Sequence, residues 1–333
     1  MNEESDVRLE NLRKILADPD VAIDLGTANT RLYVLDRGIV ADEPTIVRTR
    51  SEQPVPGQAD DFVAPLKGGV VRDVDATAYL LRQMLKRARR FGLIGSRALV
   101  CAPSGVTSGE RANLLEAVRR SGVAAVKLVP EPLASAVGAG LDISLPYAQL
   151  IVDIGDGLTD VAVIRSHRLI LARGMRSACG DLRSAVQRTV ARRSNLFLHQ
   201  REAERLVQES GAGTVMKADQ CLPVLGIDRQ GCEMSVELSG QEISDAVNPV
   251  IAEIVKVIRE AVLGLPPDLS VEVMESGICL TGGGACLRGI DSLIASATSI
   301  DVKVAADPLH ATINGASQML AASAQGFWEP SGL

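Results

Sequence analysis

The residues best suited to chemistry lie in two sequence segments that have a similar succession of residue types. Residues 151–164 join two apolar runs through a turn that carries carboxylates, glycines and a hydroxyl, and residues 21–35 repeat this arrangement. Apolar runs on either side of a Gly-rich turn predict a β-hairpin. Glycines lack a Cβ atom, so backbone N–H groups in such a turn can approach an anion closely. The first hypothesis is therefore a duplicated phosphate-binding hairpin.

A third glycine-rich segment follows later in the chain. The apolar run 278–281 leads into Gly282, Gly283 and Gly284, and a helix is predicted at 290–297. Backbone N–H groups in such a turn can bind the phosphates of a nucleotide. On its own, the segment would be explained as a tight turn from strand to helix. Because two similar hairpins precede it, nucleotide binding is the better account.

Several predicted elements would position these turns. A helix is predicted from Asp73 or Asp75 to about residue 90, and a second one begins at the capping box 107–110. A long helix is predicted at 241–263. Glu131 lies where a predicted strand meets a predicted helix, a common position for chemistry, although a single glutamate specifies little.

Composition limits the class of protein. A chain of 333 residues exceeds the usual size of one hydrophobic core, so at least two domains are expected. The hydrophobic fraction of 46%, the acidic start and the absence of an 18-residue uncharged apolar run predict a cytoplasmic protein. The net charge of -6 argues against nucleic-acid binding. Scattered histidines and six cysteines without C-x-x-C spacing give zinc and redox sites little support.

Two segments could contact a membrane. Residues 7–16 place apolar side chains on one helical face, which suits a membrane-surface helix, a partner helix, a helix packed on its own domain or a frayed terminus. Arginines at the end of the predicted helix precede Phe91, Leu93 and Ile94. Such a cluster suits an anionic membrane, where each cation contributes about 1 kcal/mol. It also suits a helix C-terminus followed by a buried turn, and the chemistry alone favours that second explanation.

The chain resembles the MreB family of the actin-like ATPase superfamily. The phrases at 24–30, 38–44, 131–141, 280–285 and 306–309 are similar to MreB phrases and follow in the same order. The resemblance covers the chain from about residue 21 to about residue 320. It implies an α/β fold of actin-like type, with two domains of duplicated ribonuclease-H-like cores around a nucleotide cleft.

The same resemblance implies a domain organisation. We expect an N-terminal extension at 1–20, domain I at 21–150, domain II at 151–323 and a tail at 324–333. Residues 45–68 would be a small subdomain of domain I, much shorter than in the family, which puts self-assembly in question. Residues 178–242 would be the small subdomain of domain II. The chain is therefore expected to be a divergent, shortened MreB paralogue similar to Mbl.

The resemblance also implies site residues and cofactors, ATP and Mg²⁺. Glu131 would orient the hydrolytic water, and Asp24 and Asp153 would hold Mg²⁺ through water. The expected nucleotide-binding residues are Asp24, Gly26, Thr27, Ala28, Asn29, Asp153, Gly155, Asp156, Gly157, Thr159, Gly180, Asp181, Glu204, Gly282, Gly283, Gly284 and Ala285.

Two departures from the family pattern fall on the second hairpin. Asp156 replaces a glycine, and its carboxylate would repel a phosphate by about 4 kcal/mol at 4 Å unless a cation intervenes or the side chain turns away. Leu158 replaces a threonine and cannot donate the hydrogen bond that the threonine hydroxyl would offer to a phosphate or to the attacking water. Nucleotide binding is therefore expected to persist weakly, and hydrolysis is expected to be impaired.

The implied function is that of a membrane-associated cytoskeletal scaffold that guides cell shape and localised peptidoglycan synthesis. Its implied partners are full-length MreB or further copies of itself in filaments, the inner membrane surface, and proteins of the MreC and RodZ type. It would lie at the inner face of the cell membrane, where Phe91, Leu93 and Ile94 would insert. The alternatives are a fully competent ATP-dependent filament and, more distantly, a sugar-kinase or chaperone-type ATPase.

Overall fold

The computed structural model describes residues 20–49, 61–88, 97–213 and 217–324. These residues fall into two compact units. Unit 1 contains the described chain up to Leu141 and from His310 onward, and unit 2 contains Asp142–Leu309. The helix predicted at 7–16 and the predicted membrane residues Phe91, Leu93 and Ile94 lie outside the described ranges.

Unit 1 is built on a five-stranded sheet with strand order β3-β2-β1-β8-β9. The central strand β1 pairs antiparallel with β2 and parallel with β8, β2 pairs antiparallel with β3, and β8 pairs parallel with β9. All five residues of β1 are buried, as expected for an apolar central strand. The strands are β1 (Val21–Leu25), β2 (Asn29–Val34), β3 (Gly38–Pro44), β8 (Arg97–Ala102) and β9 (Ala125–Pro130).

Four helices pack in unit 1, and two begin at predicted caps. The backbone N–H of Ala76 donates to Asp73 Oδ1 at 2.8 Å, which identifies Asp73 rather than Asp75 as the cap of the first helix. The capping box of Thr107 and Glu110 is also confirmed. The helices are α1 (Val74–Ala88), α2 (Ser108–Arg120), α3 (Glu131–Gly138) and α9 (Ala311–Ala324).

The segment expected to be a reduced subdomain contains two short ribbons. One pairs β4 (Val47–Thr49) with β5 (Asp61–Val63), and the other pairs β6 (Leu66–Lys67) with β7 (Val70–Val71). Residues 50–60 lie outside the described ranges.

Unit 2 repeats the sheet of unit 1, with strand order β12-β11-β10-β15-β16. Again the central strand is fully buried, three neighbouring strands are antiparallel and two further strands run parallel. The strands are β10 (Gln149–Ile154), β11 (Thr159–Arg165), β12 (Arg168–Met175), β15 (Ile278–Thr281) and β16 (Val302–Val304). The two phrases that opened the sequence analysis therefore form equivalent hairpins, β1–β2 and β10–β11.

The remaining described elements of unit 2 are a ribbon and a set of helices. A separate ribbon pairs β13 (Cys221–Ile227) with β14 (Glu233–Ser239). Ser239 then caps the long helix that the sequence predicted, and that helix ends before Pro266. The helices are α4 (Cys179–Ser194), α5 (Gln200–Ser210), α6 (Gly240–Leu263), α7 (Pro267–Ser276) and α8 (Ile290–Thr298).

The units differ from the expected domains in two places. Helix α9 belongs to unit 1, because Gly138 of α3 and Gly315 of α9 let the two helix backbones touch. A buried hydrogen bond of 2.8 Å between the hydroxyls of Ser135 and Thr312 joins the same helices. Residues 142–150 belong to unit 2, where the backbone N–H of His167 donates to Ile143 O at 2.6 Å.

We predict that Gly315→Ala destabilises unit 1. A Cβ atom at this position would overlap the carbonyl group of Ala134 in α3. Overpacking of this kind costs about 1–3 kcal/mol of unfolding free energy. The measurement is the midpoint of thermal unfolding. Gly109→Ala is the matched control, because no described residue outside the neighbouring helix backbone lies within 4 Å of its added Cβ. Equal midpoints for the wild type and Gly315→Ala would contradict the proposed close packing.

Candidate functional site

The first hairpin is closed by a glycine. The backbone N–H of Gly26 donates to Asn29 O at 3.1 Å, so the turn folds back on itself. An added Cβ atom on Gly26 would lie 2.7 Å from the same oxygen, which explains why glycine is needed. Across the two strands, Asp24 pairs with Arg31 and Leu25 pairs with Thr30.

The second hairpin has the same geometry. The backbone N–H of Gly155 donates to Leu158 O at 2.9 Å, and Asp153 pairs across the strands with Asp160. Because these two hydrogen bonds are equivalent, Gly155 corresponds to Gly26 and Leu158 corresponds to Asn29. The predicted duplication of the hairpin is thus seen at the level of single backbone contacts.

The first turn is braced from outside the hairpin. The Thr45 hydroxyl donates to Gly26 O at 2.7 Å, and its backbone N–H donates to Ala28 O at 2.8 Å. The Thr27 hydroxyl accepts a hydrogen bond from the backbone N–H of Gly69 at 2.9 Å. Three of the predicted turn residues are therefore fixed in position by neighbouring loops.

The second turn is braced by the N-terminus of α4. The backbone N–H groups of Cys179 and Gly180 donate to Gly155 O at 3.2 Å and Asp156 O at 2.8 Å. An added Cβ atom on Gly180 would lie 2.8 Å from Asp156 O, so this close approach requires glycine. The start of the helix is held by Asp181, whose Oδ2 accepts from the backbone N–H of Ala178 at 3.1 Å.

The Thr159 hydroxyl donates a hydrogen bond to another residue of unit 2. The side chain is fully buried and donates to Ser177 O at 2.8 Å. Leu158, next to it, is half-buried and offers only carbon atoms. Beyond their backbone groups, the turn residues 155–158 present a single polar side chain, that of Asp156.

The Asp156 carboxylate is neutralised within unit 2. Arg183 of α4 forms ion pairs with Asp156 and, at 2.8 Å, with Glu204 of α5. Burial opposes the charge of Arg183, but the two carboxylates outweigh it and raise the pKa of its guanidinium. The expected repulsion between Asp156 and a phosphate is therefore countered by a cation that the sequence analysis did not identify. Arg183 lies 27 residues after Asp156 in the sequence. The sequence analysis could state that Asp156 needs a cation near a phosphate, but not which residue supplies it.

Cys179, the first residue of α4, is close enough to these charges for its pKa to be affected. Burial, strengthened by the charges of Asp156 and Glu204, raises the pKa of the Cys179 thiol to about 12. The thiol is therefore protonated and unreactive at neutral pH.

The triglycine turn packs against the end of β10. Gly282 has a φ of +80°, and an added Cβ atom there would overlap Ile154 O and crowd the Asp153 carboxylate. The Thr281 hydroxyl donates to Asp153 Oδ2 at 3.0 Å. Gly283 is more open, because among the described residues beyond its chain neighbours Leu309 alone lies within 4 Å of its added Cβ. Unit 2 therefore brings together the turn 155–158, the start of α4 and the loop 282–285.

Unit 1 brings Glu131 to the same sheet edge as Asp24. Strands β1, β8 and β9 run parallel, so the end of β1, which carries Asp24, and the end of β9 meet at one edge. Glu131 is the first residue of α3, immediately after β9, and is half-buried.

The residues predicted to hold Mg²⁺ fit it unequally. Asp24 is buried and already pairs with Arg31, whose Nη1 lies 3.2 Å from Asp24 Oδ2. A divalent cation at this carboxylate would stand beside a like charge, so Asp24 does not fit a magnesium site. The Asp153 carboxylate is oriented by the hydroxyl of Thr281, which donates to its Oδ2. Within the described ranges, no group of three His, Cys, Asp or Glu side chains could hold a metal ion.

Comparisons with known proteins agree with this architecture. The family profile described as MreB/Mbl protein matches residues 18–326. The cell shape-determining protein MreB of Pasteurella multocida is 31% identical over 324 residues, covering 90% of this chain and 92% of that protein. MreB of Escherichia coli K12 is 32% identical over 323 residues, covering 90% and 93%.

A solved structure supports the fold. MreB5 of Spiroplasma citri bound to AMPPNP superposes with a TM-score of 0.82 at 27% identity, covering 93% of this chain and 98% of that one. The predicted actin-like fold with two similar cores is thereby confirmed. None of the helices in the described part of the chain is long and apolar enough to cross a membrane.

We predict that Arg183→Met destabilises unit 2 through Asp156. Removing one partner of a largely buried ion pair costs about 3–5 kcal/mol, because the other charge is left uncompensated. Adding Asp156→Gly to this variant should restore part of the loss, a coupling that chemical denaturation of the single and double variants measures.

Glu204→Gln is the control for this cycle. Its side chain is 41% exposed, so its pair with Arg183 should contribute less than about 1 kcal/mol. Strictly additive effects of Arg183→Met and Asp156→Gly would show that the two side chains do not interact in solution.

Proposed function

Since this chain belongs to the MreB/Mbl family, we propose that it is an actin-like cytoskeletal protein that binds adenine nucleotide and assembles into filaments. In this proposal it works at the inner face of the cell membrane, alone or together with a full-length MreB. There it guides cell shape and localised peptidoglycan synthesis, in contact with shape proteins of the MreC and RodZ type.

The observation that carries nucleotide binding is the repeated turn geometry. In both hairpins the backbone N–H of a glycine donates to the carbonyl oxygen of the fourth turn residue. A glycine-rich loop packs beside the second hairpin. Such turns present backbone N–H groups to anions. The AMPPNP-bound MreB5 has the same fold, which supports adenine nucleotide as the ligand.

We propose that ATP hydrolysis is weak, because of the side chains in and beside the second turn. The Leu158 side chain offers no donor to a phosphate or to an attacking water, and the Thr159 hydroxyl already donates to Ser177 O. Glu131 is present at the start of α3 and favours the alternative, a fully competent ATPase filament. The profile match over residues 18–326 argues against the sugar-kinase and chaperone alternatives.

We predict that Leu158→Thr raises ATP turnover. A restored hydroxyl donor would stabilise charge in the transition state, with an expected gain of at least about tenfold. Steady-state phosphate release measures it. The gain should vanish in Leu158→Thr with Glu131→Ala, and Leu263→Thr, at an exposed position of α6, should change nothing. A wild-type turnover equal to that of an ordinary MreB, and abolished by Glu131→Ala, would establish the competent-ATPase alternative instead.

The membrane proposal rests on sequence alone. Basic residues precede Phe91, Leu93 and Ile94, and we predict that replacing these three with serine abolishes co-sedimentation with vesicles rich in phosphatidylglycerol. Val271→Ser with Met274→Ser, two exposed apolar residues of α7, is the matched control and should leave sedimentation unchanged. Undiminished sedimentation of the triple variant would shift the membrane contact to residues 7–16 or remove it.

A further inference from the structure

Arg31 has a position that the sequence hypotheses did not consider. It lies on β2 directly across from Asp24, two residues after the turn that ends at Asn29. Its side chain is only 14% exposed. A largely buried cation beside a phosphate-binding turn calls for a ligand or a structural partner.

The carboxylates near Arg31 satisfy only part of its guanidinium. Nη1 donates to Asp24 Oδ2 at 3.2 Å. Nε is buried and lies 3.3 Å from Asp42 Oδ2 without the geometry of a hydrogen bond. Within the described ranges, Nη2 makes no hydrogen bond. One edge of the guanidinium is therefore available for a further acceptor.

The surroundings hold Arg31 in place. Asp42 also accepts from Asn29 Nδ2 at 2.8 Å and lies 3.2 Å from His310 Nε2. Burial alone would raise the pKa of Asp42, but Asn29 and Arg31 hold it below its usual range, so the carboxylate is ionised at neutral pH. The turn residue Asn29, the strand residue Arg31 and the carboxylates form one network in unit 1.

The second hairpin lacks this feature. The position equivalent to Arg31 is Asp160, a buried acid, so its cation comes from α4 as Arg183 instead. Arg31 is therefore not a requirement of the hairpin fold itself. It is an addition to the first turn, at the carboxylate where a magnesium ion would otherwise be expected.

We propose that Arg31 binds the phosphate oxygens of the nucleotide and replaces the divalent cation in neutralising Asp24, so that this protein binds ATP without Mg²⁺. The inference rests on the proposed nucleotide binding. A guanidinium suits this role, because it is always charged and its planar donors match phosphate oxygens. The positive charge of Arg31 is part of the protein, whereas a metal site has to bind its cation from solution.

The test measures ATP affinity by calorimetry in Mg²⁺ and in EDTA. For the full-length wild type, the two dissociation constants should agree within about threefold. Arg31→Gln should weaken binding in EDTA by about tenfold or more, the loss expected for a charged hydrogen bond. Its affinity in Mg²⁺ should change less, because the metal can then approach Asp24. Arg119→Gln, which removes an exposed arginine of α2, is the matched control and should behave as wild type.

Each outcome decides the matter. Wild-type binding that collapses in EDTA overturns the proposal, whatever the variants do. An unchanged ratio of affinities in Arg31→Gln, with wild-type thermal stability, overturns the role of Arg31. If Arg31→Gln unfolds, Arg31→Lys keeps the charge and should retain most of the binding in EDTA, and its loss would count against the proposal. Absence of ATP binding in both buffers would instead refute the proposed function, and this inference with it.

Discussion

A single backbone hydrogen bond, from a glycine N–H to the carbonyl of the fourth turn residue, sets the geometry on which both units depend. It closes the turn at Gly26 and again at Gly155. Each closure fixes where the central strand ends, and with it the place of Asp24 and Asp153 at the edge of their sheets. The supports differ between the units. Loops brace the first turn, and the N-terminus of a helix braces the second.

Charge compensation is the second constraint, and it follows from the first. Turns that concentrate backbone N–H groups and carboxylates in a small volume need cations to balance the acids. This chain supplies arginines from its own sequence. Arg31 lies between Asp24 and Asp42 in unit 1, and Arg183 lies between Asp156 and Glu204 in unit 2. In each unit one guanidinium serves two carboxylates, so neither acid stands alone.

The sequence predicted what is local and missed what is distant. Apolar periodicity and caps gave the hairpins, the capping box at Thr107 and the long helix α6, because those signals lie within a few residues of each other. The return of α9 to unit 1 could not be predicted, since it depends on two glycines 177 residues apart meeting face to face, Gly138 and Gly315. The charge of Asp156 was recognised as a problem from sequence. Its solution, Arg183, depends on how α4 folds back on the turn.

The same distinction explains why the departures at Asp156 and Leu158 have different consequences. A charge acts over several ångströms, so a cation from another element can compensate it without touching the turn backbone. A hydrogen-bond donor acts only at about 3 Å and in a narrow range of directions. Nothing at a distance can replace the hydroxyl missing at Leu158, and the neighbouring hydroxyl of Thr159 is already bonded to Ser177 O. The departures in this turn therefore leave its charge balance intact while removing a specific donor, which is the basis for proposing nucleotide binding with weak hydrolysis.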